Sequence, residues 1–240
     1  MSTDKLRVDV WSDIACPWCY IGKRHLEAAL KELPGAAEVE IQWRAFELDP
    51  GAPAERERGV TYAQRIARKY GCTETEADGM VERMVDVARE DGLDFHFERV
   101  RSGNMFDAHR VIHLAHERGV QDAVKERFLL AYMTEGALMS DAQTLVRLGA
   151  EAGLDAEEVR ATLASDRYAR EVRADEQDAK ELDITGVPFF VVDGKYAISG
   201  AQPAAVLFKA LTLAGEARAK EKPKPVLFAE GAVCGPDGCA

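Results

Sequence analysis

The chain has 240 residues, 47% of them hydrophobic and 30% charged, which is enough apolar material for one or two ordinary globular domains. Its formal net charge at pH 7 is −11. Nucleic acids and anionic lipid surfaces are themselves negative, so non-specific binding to either is unfavourable. We therefore expect neither a nucleic-acid partner nor a membrane partner.

The first ten residues carry a charge every few positions, so they lack the apolar segment of a secretory signal peptide. No later stretch is long and apolar enough to cross a bilayer. The expected location is the cytoplasm, where structural disulfides are rare. The five cysteines of this chain consequently indicate redox chemistry or metal binding.

The first fifty residues predict a β–α–β unit. Residues 6–10 alternate apolar and polar side chains, as a strand does, and residues 39–46 alternate in the same way. Between them, residues 20–33 have apolar side chains at helical spacing, and a Pro-Gly pair ends that helix. A C-P-W-C motif at residues 16–19 falls at the junction between the first strand and the helix.

Residues 61–182 have almost entirely helical apolar spacing. Asp141 and Asp155 are good N-caps, and several glycines mark helix ends. The predicted helices cover residues 61–70, 76–90, 104–118, 121–135, 141–152, 156–164 and 168–182.

Strand signals return near the carboxyl end of the chain. Residues 189–192 and 195–199 predict two strands joined by a tight turn, and a helix over residues 203–214 follows. The expected fold class is therefore α/β, with one core interrupted by a large helical insertion. The predicted organisation is an N-terminal half over residues 1–52, the insertion over 53–183, a C-terminal half over 184–215, and a charged linker with a cysteine-containing tail over 216–240.

The position of the C-P-W-C motif at a helix start is more informative than its spacing. Unpaired N–H groups and the partial positive charge of a helix amino terminus favour the thiolate at Cys16. Cys19 lies one turn further on, where it can close an intramolecular disulfide and release a mixed-disulfide partner. Pro17 lacks an N–H, which the first helical turn does not need. The motif therefore predicts a redox-active dithiol.

Val187 and Pro188 immediately precede a predicted strand, a position where a cis X–Pro bond can form. If the two halves of the core pack as one sheet, this dipeptide can face Cys16. The backbone of Val187 would then pair with an extended substrate, and the missing N–H of Pro188 would leave the approach to sulfur open.

Four segments carry a family resemblance: residues 10–22 (VWSDIACPWCYIG), 104–110 (NMFDAHR), 184–189 (ITGVPF) and 199–202 (SGAQ). Together they resemble the DsbA-like branch of the thioredoxin superfamily, and within it the FrnE subfamily. The resemblance spans residues 8–212 and implies a thioredoxin fold interrupted by an all-helical insertion. The activity it implies is that of a protein disulfide oxidoreductase or isomerase, with Cys16 as nucleophile, Cys19 as resolving thiol and Pro188 as the cis-proline.

Four residues are expected to contact substrate. Trp18, between the two cysteines, is expected to be exposed to partners, and Val187 is expected to act through its backbone. Asn104 and His109 belong to a segment that resembles the edge of the insertion facing the active-site cleft. The expected partners are proteins or small molecules that carry thiols or disulfides. No organic cofactor is required, and glutathione is the candidate co-substrate; the direction of electron flow and the oligomeric state stay open.

A second cysteine pair, Cys234 and Cys239, encloses a Gly-Pro-Asp-Gly turn sequence. Two interpretations stay open. The pair is either a passive tail, or a tethered dithiol that relays electrons by exchanging with Cys16 and Cys19 intramolecularly. The tail motif also resembles a feature of some FrnE proteins. The fifth cysteine, Cys72, is assigned no role.

Two alternative functions belong to other classes. A C-x-x-C motif is half of a four-ligand zinc site, and the tail cysteines could supply the other half only by folding back; we expect no metal site. The DsbA-like branch also resembles 2-hydroxychromene-2-carboxylate isomerases and kappa-class glutathione transferases, which use glutathione. Those enzymes typically have Ser where this chain has Cys16, so the presence of both thiols argues against an isomerase.

Overall fold

A four-stranded sheet lies at the centre of the computed structural model, which describes residues 5–57 and 59–220 and, as backbone, residues 234–235 and 238–239. Its strands are β1 (Leu6–Ser12), β2 (Val39–Ala45), β3 (Phe189–Val192) and β4 (Tyr196–Ser199). They lie in the order β2-β1-β3-β4. Strand β1 is parallel to β2 and antiparallel to β3, which is antiparallel to β4. The two ends of the chain therefore share one sheet.

The regular elements between β2 and β3 in the described residues are all helices, and helices also flank the sheet elsewhere. They are α1 (Pro17–Glu32), α2 (Tyr62–Tyr70), α3 (Glu74–Glu90), α4 (Phe106–Glu117), α5 (Gln121–Leu130), α6 (Ala142–Glu151), α7 (Ala156–Leu163), α8 (Ala169–Glu181) and α9 (Ala204–Lys220), with a π-helical turn at Ala131–Glu135 after α5. Helix α1 packs against α9, while α4, α5 and α8 lie against the edge strand β2. Of the helices in the described residues, none is long and apolar enough to span a bilayer.

The free edge of β2 is closed by side chains of the helical insertion. The Gln121 side chain accepts a hydrogen bond from the Trp43 amide and donates one to the Trp43 carbonyl, both at 3.0 Å. Two residues along, the Asp175 carboxylate accepts the Ala45 amide at 2.8 Å. An edge strand exposes unpaired backbone groups, and burying them without partners would be costly. These bonds therefore attach the insertion to the sheet in one register.

The predicted core interrupted by helices is confirmed, as are the two proposed N-caps. The Asp141 carboxylate accepts the Thr144 amide at 2.8 Å, and that of Asp155 accepts the Glu158 amide at 2.9 Å. Helix α1 begins at Pro17, so the C-P-W-C motif lies at a helix start as predicted.

The predicted linker is wrong in its first five residues, because α9 continues to Lys220. Arg218 in its last turn donates to Asp193 at 2.9 Å, which ties this charged end to the turn between β3 and β4. Beyond it, the short strands β5 (Cys234–Gly235) and β6 (Gly238–Cys239) pair antiparallel, with Cys234 opposite Cys239.

Helix α1 approaches β3 most closely at Gly22. A Cβ atom at this position would lie 2.9 Å from Cγ of Pro188 and 3.3 Å from Cζ of Phe190. Both neighbours belong to rings held in the core, so neither can move away cheaply. The absence of a side chain at Gly22 therefore sets how near the helix that carries the thiols lies to Pro188.

We expect Gly22→Ala to lower the free energy of unfolding by about 1 kcal/mol or more, because overpacking of a core typically outweighs the helix-propensity gain. Gly215→Ala is the matched control, since a Cβ there meets no atom within 4 Å. It should raise stability by about 0.5–1 kcal/mol. Urea denaturation of the two variants checks this, and a stabilised Gly22→Ala would contradict the packing argument.

Candidate active site

Two free thiols lie at the start of α1. Cys16 is the N-cap residue, in an extended conformation, and Pro17 occupies the first helical position. The Cys19 amide donates to the Cys16 carbonyl at 3.0 Å, which closes the first turn. Cys16 is 5% exposed and Cys19 is fully buried. Of the two, Cys16 is therefore the sulfur that a substrate can reach.

The Val187–Pro188 dipeptide lies next to the C-P-W-C motif in the folded structure. The Val187–Pro188 peptide bond is cis, and the Cys16 thiol lies 3.4 Å from the carbonyl oxygen of Val187, to which it donates. More than 170 positions of sequence separate these groups. The pairing of β3 with β1 brings them together, because Phe189 lies opposite Trp11 in that register.

A cleft of about 770 Å³ opens over Cys16, between the start of α1 and the first helices of the insertion. Trp18 lies on its rim with 41% of its surface exposed. The opposite side includes Tyr62 of α2 and Tyr132 of the π-helical turn. A cleft of this volume accommodates a small molecule or a short peptide segment.

A buried cation lies beneath Cys19. Lys125 of α5 is 1% exposed, and its ammonium group donates to the Ser12 carbonyl at 3.4 Å. It also lies 5.6 Å from the centre of the Trp43 ring. Within the described residues, no carboxylate forms an ion pair with it. Burying a lysine without an anion is costly. Burial accordingly lowers the pKa of Lys125 to about 8.

The anion that would act most strongly on Lys125 is a thiolate at Cys19, followed by the Asp13 carboxylate. Burial raises the pKa of Cys19, but a hydrogen bond with Cys16 and the charge of Lys125 outweigh burial, so that this pKa is lowered overall. The same bond to Cys19, together with burial, raises the pKa of Cys16. The pKa of Cys19 is thus shifted down and that of Cys16 up. The thiolate expected at Cys16 from its position at a helix start stays a prediction, and Lys125, from a distant helix, is a cation that the local sequence does not reveal.

Asp13 holds the loop that precedes Cys16. Its carboxylate accepts the amides of Ala15 at 3.1 Å and Leu48 at 2.7 Å, and His109 lies 3.7 Å away. Burial raises the pKa of Asp13, but His109 and the two amides outweigh it and lower the pKa overall. Asp13 is therefore a buried carboxylate that ties the start of α1 to the loop after β2, while Cys16 occupies the N-cap position of that helix.

The four residues predicted to contact substrate differ in whether they line the cleft. Trp18 and Val187 both line the cleft. His109 is 1% exposed, and burial lowers its pKa; a direct substrate contact by its side chain is therefore wrong. The Asn104 side chain accepts the Phe106 amide at 2.8 Å and so caps the start of α4. Its contact with substrate stays a prediction.

The role of the tail cysteines and the expected absence of a metal site both remain predictions. The side chains of Cys234 and Cys239 lie outside the described residues, so their relay role is untested. Among the residues that the structure does describe, no three His, Cys, Asp or Glu side chains converge as a metal site would require.

Sequence reasoning missed Lys125, although one signal was present. Lys125 lies between Val124 and Phe128 on the buried side of α5. A lysine within an apolar helical stripe is unusual, since charged residues are almost never fully buried without a partner. The pattern could have identified a buried cation, but not what it lies beside.

Comparison with known proteins supports the fold described above. A family model described as a DSBA-like thioredoxin domain matches residues 7–212. A probable DsbA oxidoreductase from Streptomyces coelicolor, known as a crystal structure, is 43% identical, with 98% of each chain covered and a TM-score of 0.82. The protein YwbO of Bacillus subtilis, which is uncharacterised, is 28% identical over 209 residues, 86% of this chain and 96% of that protein.

A structure of a 2-hydroxychromene-2-carboxylate isomerase covers 90% of this chain and 100% of its own, with 16% identity and a TM-score of 0.62. That likeness concerns the fold alone. The sheet order and the helices between β2 and β3 define a thioredoxin fold interrupted by a helical insertion. The chain belongs to the DSBA-like thioredoxin domain family.

We expect Lys125→Met to raise the pKa of Cys19, because the cation that stabilises its thiolate is removed while the length of the side chain is kept. The ultraviolet absorbance of the thiolate, followed against pH, measures this. Lys209→Met, on an exposed face of α9, is the control and should change nothing. An unchanged thiolate titration in Lys125→Met would show that Lys125 does not act on Cys19.

The same substitution should stabilise the fold in a pH-dependent way. The folded pKa of Lys125, about 8, is below the ordinary value of 10.5, so the unfolded chain binds more protons between these two pH values. The cost of burying the ammonium is thus fully present below pH 8 and disappears towards pH 10.5. Lys125→Met should raise the unfolding free energy at pH 7 by up to about 3 kcal/mol, with the gain lost in alkali. Denaturation at several pH values tests the sign.

Proposed function

We propose that this protein is a thiol–disulfide oxidoreductase that exchanges two electrons between the Cys16–Cys19 dithiol and disulfide substrates. One observation carries the proposal. Cys16 occupies the N-cap position of α1 at the floor of an open cleft, and its thiol lies 3.4 Å from the carbonyl that precedes a cis-proline. A reactive thiol needs access, a nearby second thiol and groups that stabilise a thiolate, and all three meet here.

The exchange proceeds in two displacements. Cys16 loses its thiol proton to solvent in the cleft, and the Cys16 thiolate attacks one sulfur of the substrate disulfide. A mixed disulfide forms, and the first substrate thiolate leaves. Cys19 then loses its proton, and its thiolate attacks Cys16, which forms the Cys16–Cys19 disulfide and releases the second thiolate. The dithiol is oxidised by two electrons and the substrate disulfide is reduced by two; the reverse sequence oxidises a dithiol substrate.

Lys125 biases this equilibrium towards the dithiol. Its ammonium stabilises the Cys19 thiolate and has no such anion when both sulfurs are joined in a disulfide. Stabilising the reduced form makes the pair more oxidising, and a free-energy difference of about 1.4 kcal/mol corresponds to about 30 mV for two electrons. The buried ammonium of Lys125, which lowers the stability of the fold, thus favours the proposed chemistry.

Several finer features belong to this proposal. The expected substrates are proteins or small molecules with thiols or disulfides, in the cytoplasm, with glutathione as co-substrate and no organic cofactor. The four segments at residues 10–22, 104–110, 184–189 and 199–202 resemble those of the FrnE subfamily, and the tail pair resembles a feature of some of its members. Isomerisation of protein disulfides uses the same displacements, ended before Cys19 completes the second one.

The first test compares insulin reduction by the wild type with Cys16→Ser, Cys19→Ser and Cys72→Ser. Cys16→Ser should abolish turnover, because the attacking sulfur is lost. Cys19→Ser should accumulate the mixed disulfide with Cys16, which mass spectrometry identifies. Cys72→Ser is the matched control and should retain full activity.

Two outcomes would contradict the proposal. The first is activity in Cys16→Ser equal to that of the wild type. The second is a wild-type dithiol that forms no Cys16–Cys19 disulfide in any glutathione redox buffer. A small-molecule isomerase reaction would then be assayed in its place.

We also propose that Cys234 and Cys239 exchange with the active-site pair. The backbones around the two cysteines pair directly opposite one another, which suits a dithiol. The end of α9 lies near the carboxyl end of α1, where both line one surface groove. The 16 residues of α1 make it about 24 Å long. The thirteen residues from 221 to 233 can span up to roughly 45 Å when extended, which is enough to return to Cys16.

A trapped intermediate tests this relay. In the double variant Cys19→Ser/Cys239→Ser, Cys16 and Cys234 are expected to form a cross-link within one chain, at a yield that does not change on dilution. Peptide mapping locates the bond. The control variant Cys19→Ser/Cys234→Ser/Cys239→Ser should show no internal cross-link. Absence of the Cys16–Cys234 bond, together with wild-type turnover in Cys234→Ser/Cys239→Ser, would leave the tail passive.

A further inference from the structure

The cleft over Cys16 carries an excess of positive charge, although the chain as a whole is acidic. Its carboxylates are all engaged with other groups. Asp13 is bound by His109 and two amides, Glu47 pairs with Arg173 at 2.6 Å, and Asp49 pairs with Arg56.

Arg65 of α2 is the cation in this cleft that most needs an explanation. It is half-buried, and burial lowers its pKa. One of its N–H groups donates to the Val60 carbonyl at 2.6 Å. Within the described residues, no carboxylate lies at ion-pair distance from it. Its remaining donors have no acidic partner in that part of the chain.

The helix itself does not account for Arg65. Cations stabilise the carboxyl end of a helix, and Arg68 and Lys69 lie in that last turn of α2. Arg65 is instead the fourth of the nine residues of α2, where the helix dipole does not stabilise a cation. Its partial burial and the missing carboxylate are both unfavourable.

Arg65 lines the same cleft as the sulfur of Cys16. Its guanidinium is 5.7 Å from the centre of the Tyr62 ring. Tyr62 is near enough to Cys16 for a charge on that sulfur to contribute to the raised pKa of its hydroxyl, whose largest cause is burial. All three residues line the same cleft. An anion bound by Arg65 would therefore lie in the cleft through which a disulfide approaches Cys16.

We propose that Arg65 binds a carboxylate of the substrate, so that the protein acts preferentially on small disulfides that bear carboxylates. This inference rests on the oxidoreductase function proposed above and specifies its substrate class. The cleft volume of about 770 Å³ suits a small molecule rather than a folded protein surface. Arg68 and Lys69, both exposed on the cleft side of α2, add longer-range attraction for an anion.

Three small disulfides that share a dialkyl disulfide core test the proposal: 3,3′-dithiodipropionate, a dianion; bis(2-hydroxyethyl) disulfide, which is neutral; and cystamine, a dication. Pre-reduced full-length protein, freed of reductant, is mixed with each, and the thiol released in a single turnover is measured. Each rate is divided by the rate of the same disulfide with free dithiothreitol, which removes differences in intrinsic reactivity. The normalised rates should fall in the order dianion, neutral, dication, with the dianion about tenfold ahead of the neutral compound, as expected for a charge-assisted hydrogen bond.

Variants identify the residue responsible. Arg65→Gln should slow the dianion about tenfold and leave the neutral disulfide within about twofold of the wild type. Arg65→Lys should recover part of the preference, because it keeps the charge but not the paired donors. Arg160→Gln is the matched control, since Arg160 is exposed on α7 and pairs with Glu157.

The wild type alone provides a second measurement that does not depend on how the variants fold. At about 1 M salt, where the Debye length is about 3 Å, the advantage of the dianion should shrink while the neutral rate stays constant. Equal normalised rates for all three disulfides at low salt would overturn the carboxylate site and leave the oxidoreductase function standing.

Two further outcomes are distinguishable. If none of the disulfides oxidises the Cys16–Cys19 pair, the proposed function itself fails. If Arg65→Gln slows insulin reduction but not the reaction with dithiodipropionate, the anion belongs to an acidic protein segment, and the small-molecule proposal is wrong.

Discussion

The bonds between the helical insertion and the free edge of β2 are the constraint on which the rest of the structure depends. Gln121 pairs with both backbone groups of Trp43, and Asp175 accepts the amide of Ala45. Because these bonds are directional and buried, they allow one register only. That register determines how far α5 reaches under the start of α1, and so places Lys125 beneath Cys19. The insertion is therefore a structural part of the dithiol environment and not only a cover for it.

The site concentrates charges that the fold would be more stable without. Lys125 is buried without a carboxylate, and Arg65 is half-buried without one in the described residues. Asp13 and His109 form a further buried polar pair nearby. Unfavourable groups of this kind tend to cluster where chemistry needs them, since selection for stability alone would remove them. Here each of the two unpaired cations faces a position where an anion forms or binds in the proposed reaction.

The two sulfurs divide the work according to burial. Cys16 lines the floor of the cleft and is the sulfur that we propose attacks the substrate, whereas Cys19 is fully enclosed. Access controls thiol reactivity as much as acidity does, so enclosure protects Cys19 from unwanted oxidation.

The sequence alone determined the order of elements, the fold class, the dithiol at a helix start and the X–Pro bond before a strand. Each of these depends on neighbours within a few residues: alternation, helical spacing, caps and turn residues. It did not determine that His109 is buried, that α9 extends through its charged last turns, or that a buried lysine acts on Cys19. Those features depend on which side chains of distant segments meet, and only the packed tertiary structure, with the insertion bound to the edge of β2, brings Lys125 and Cys19 together. No local pattern records such distances, because they arise when separate helices are fixed in one register.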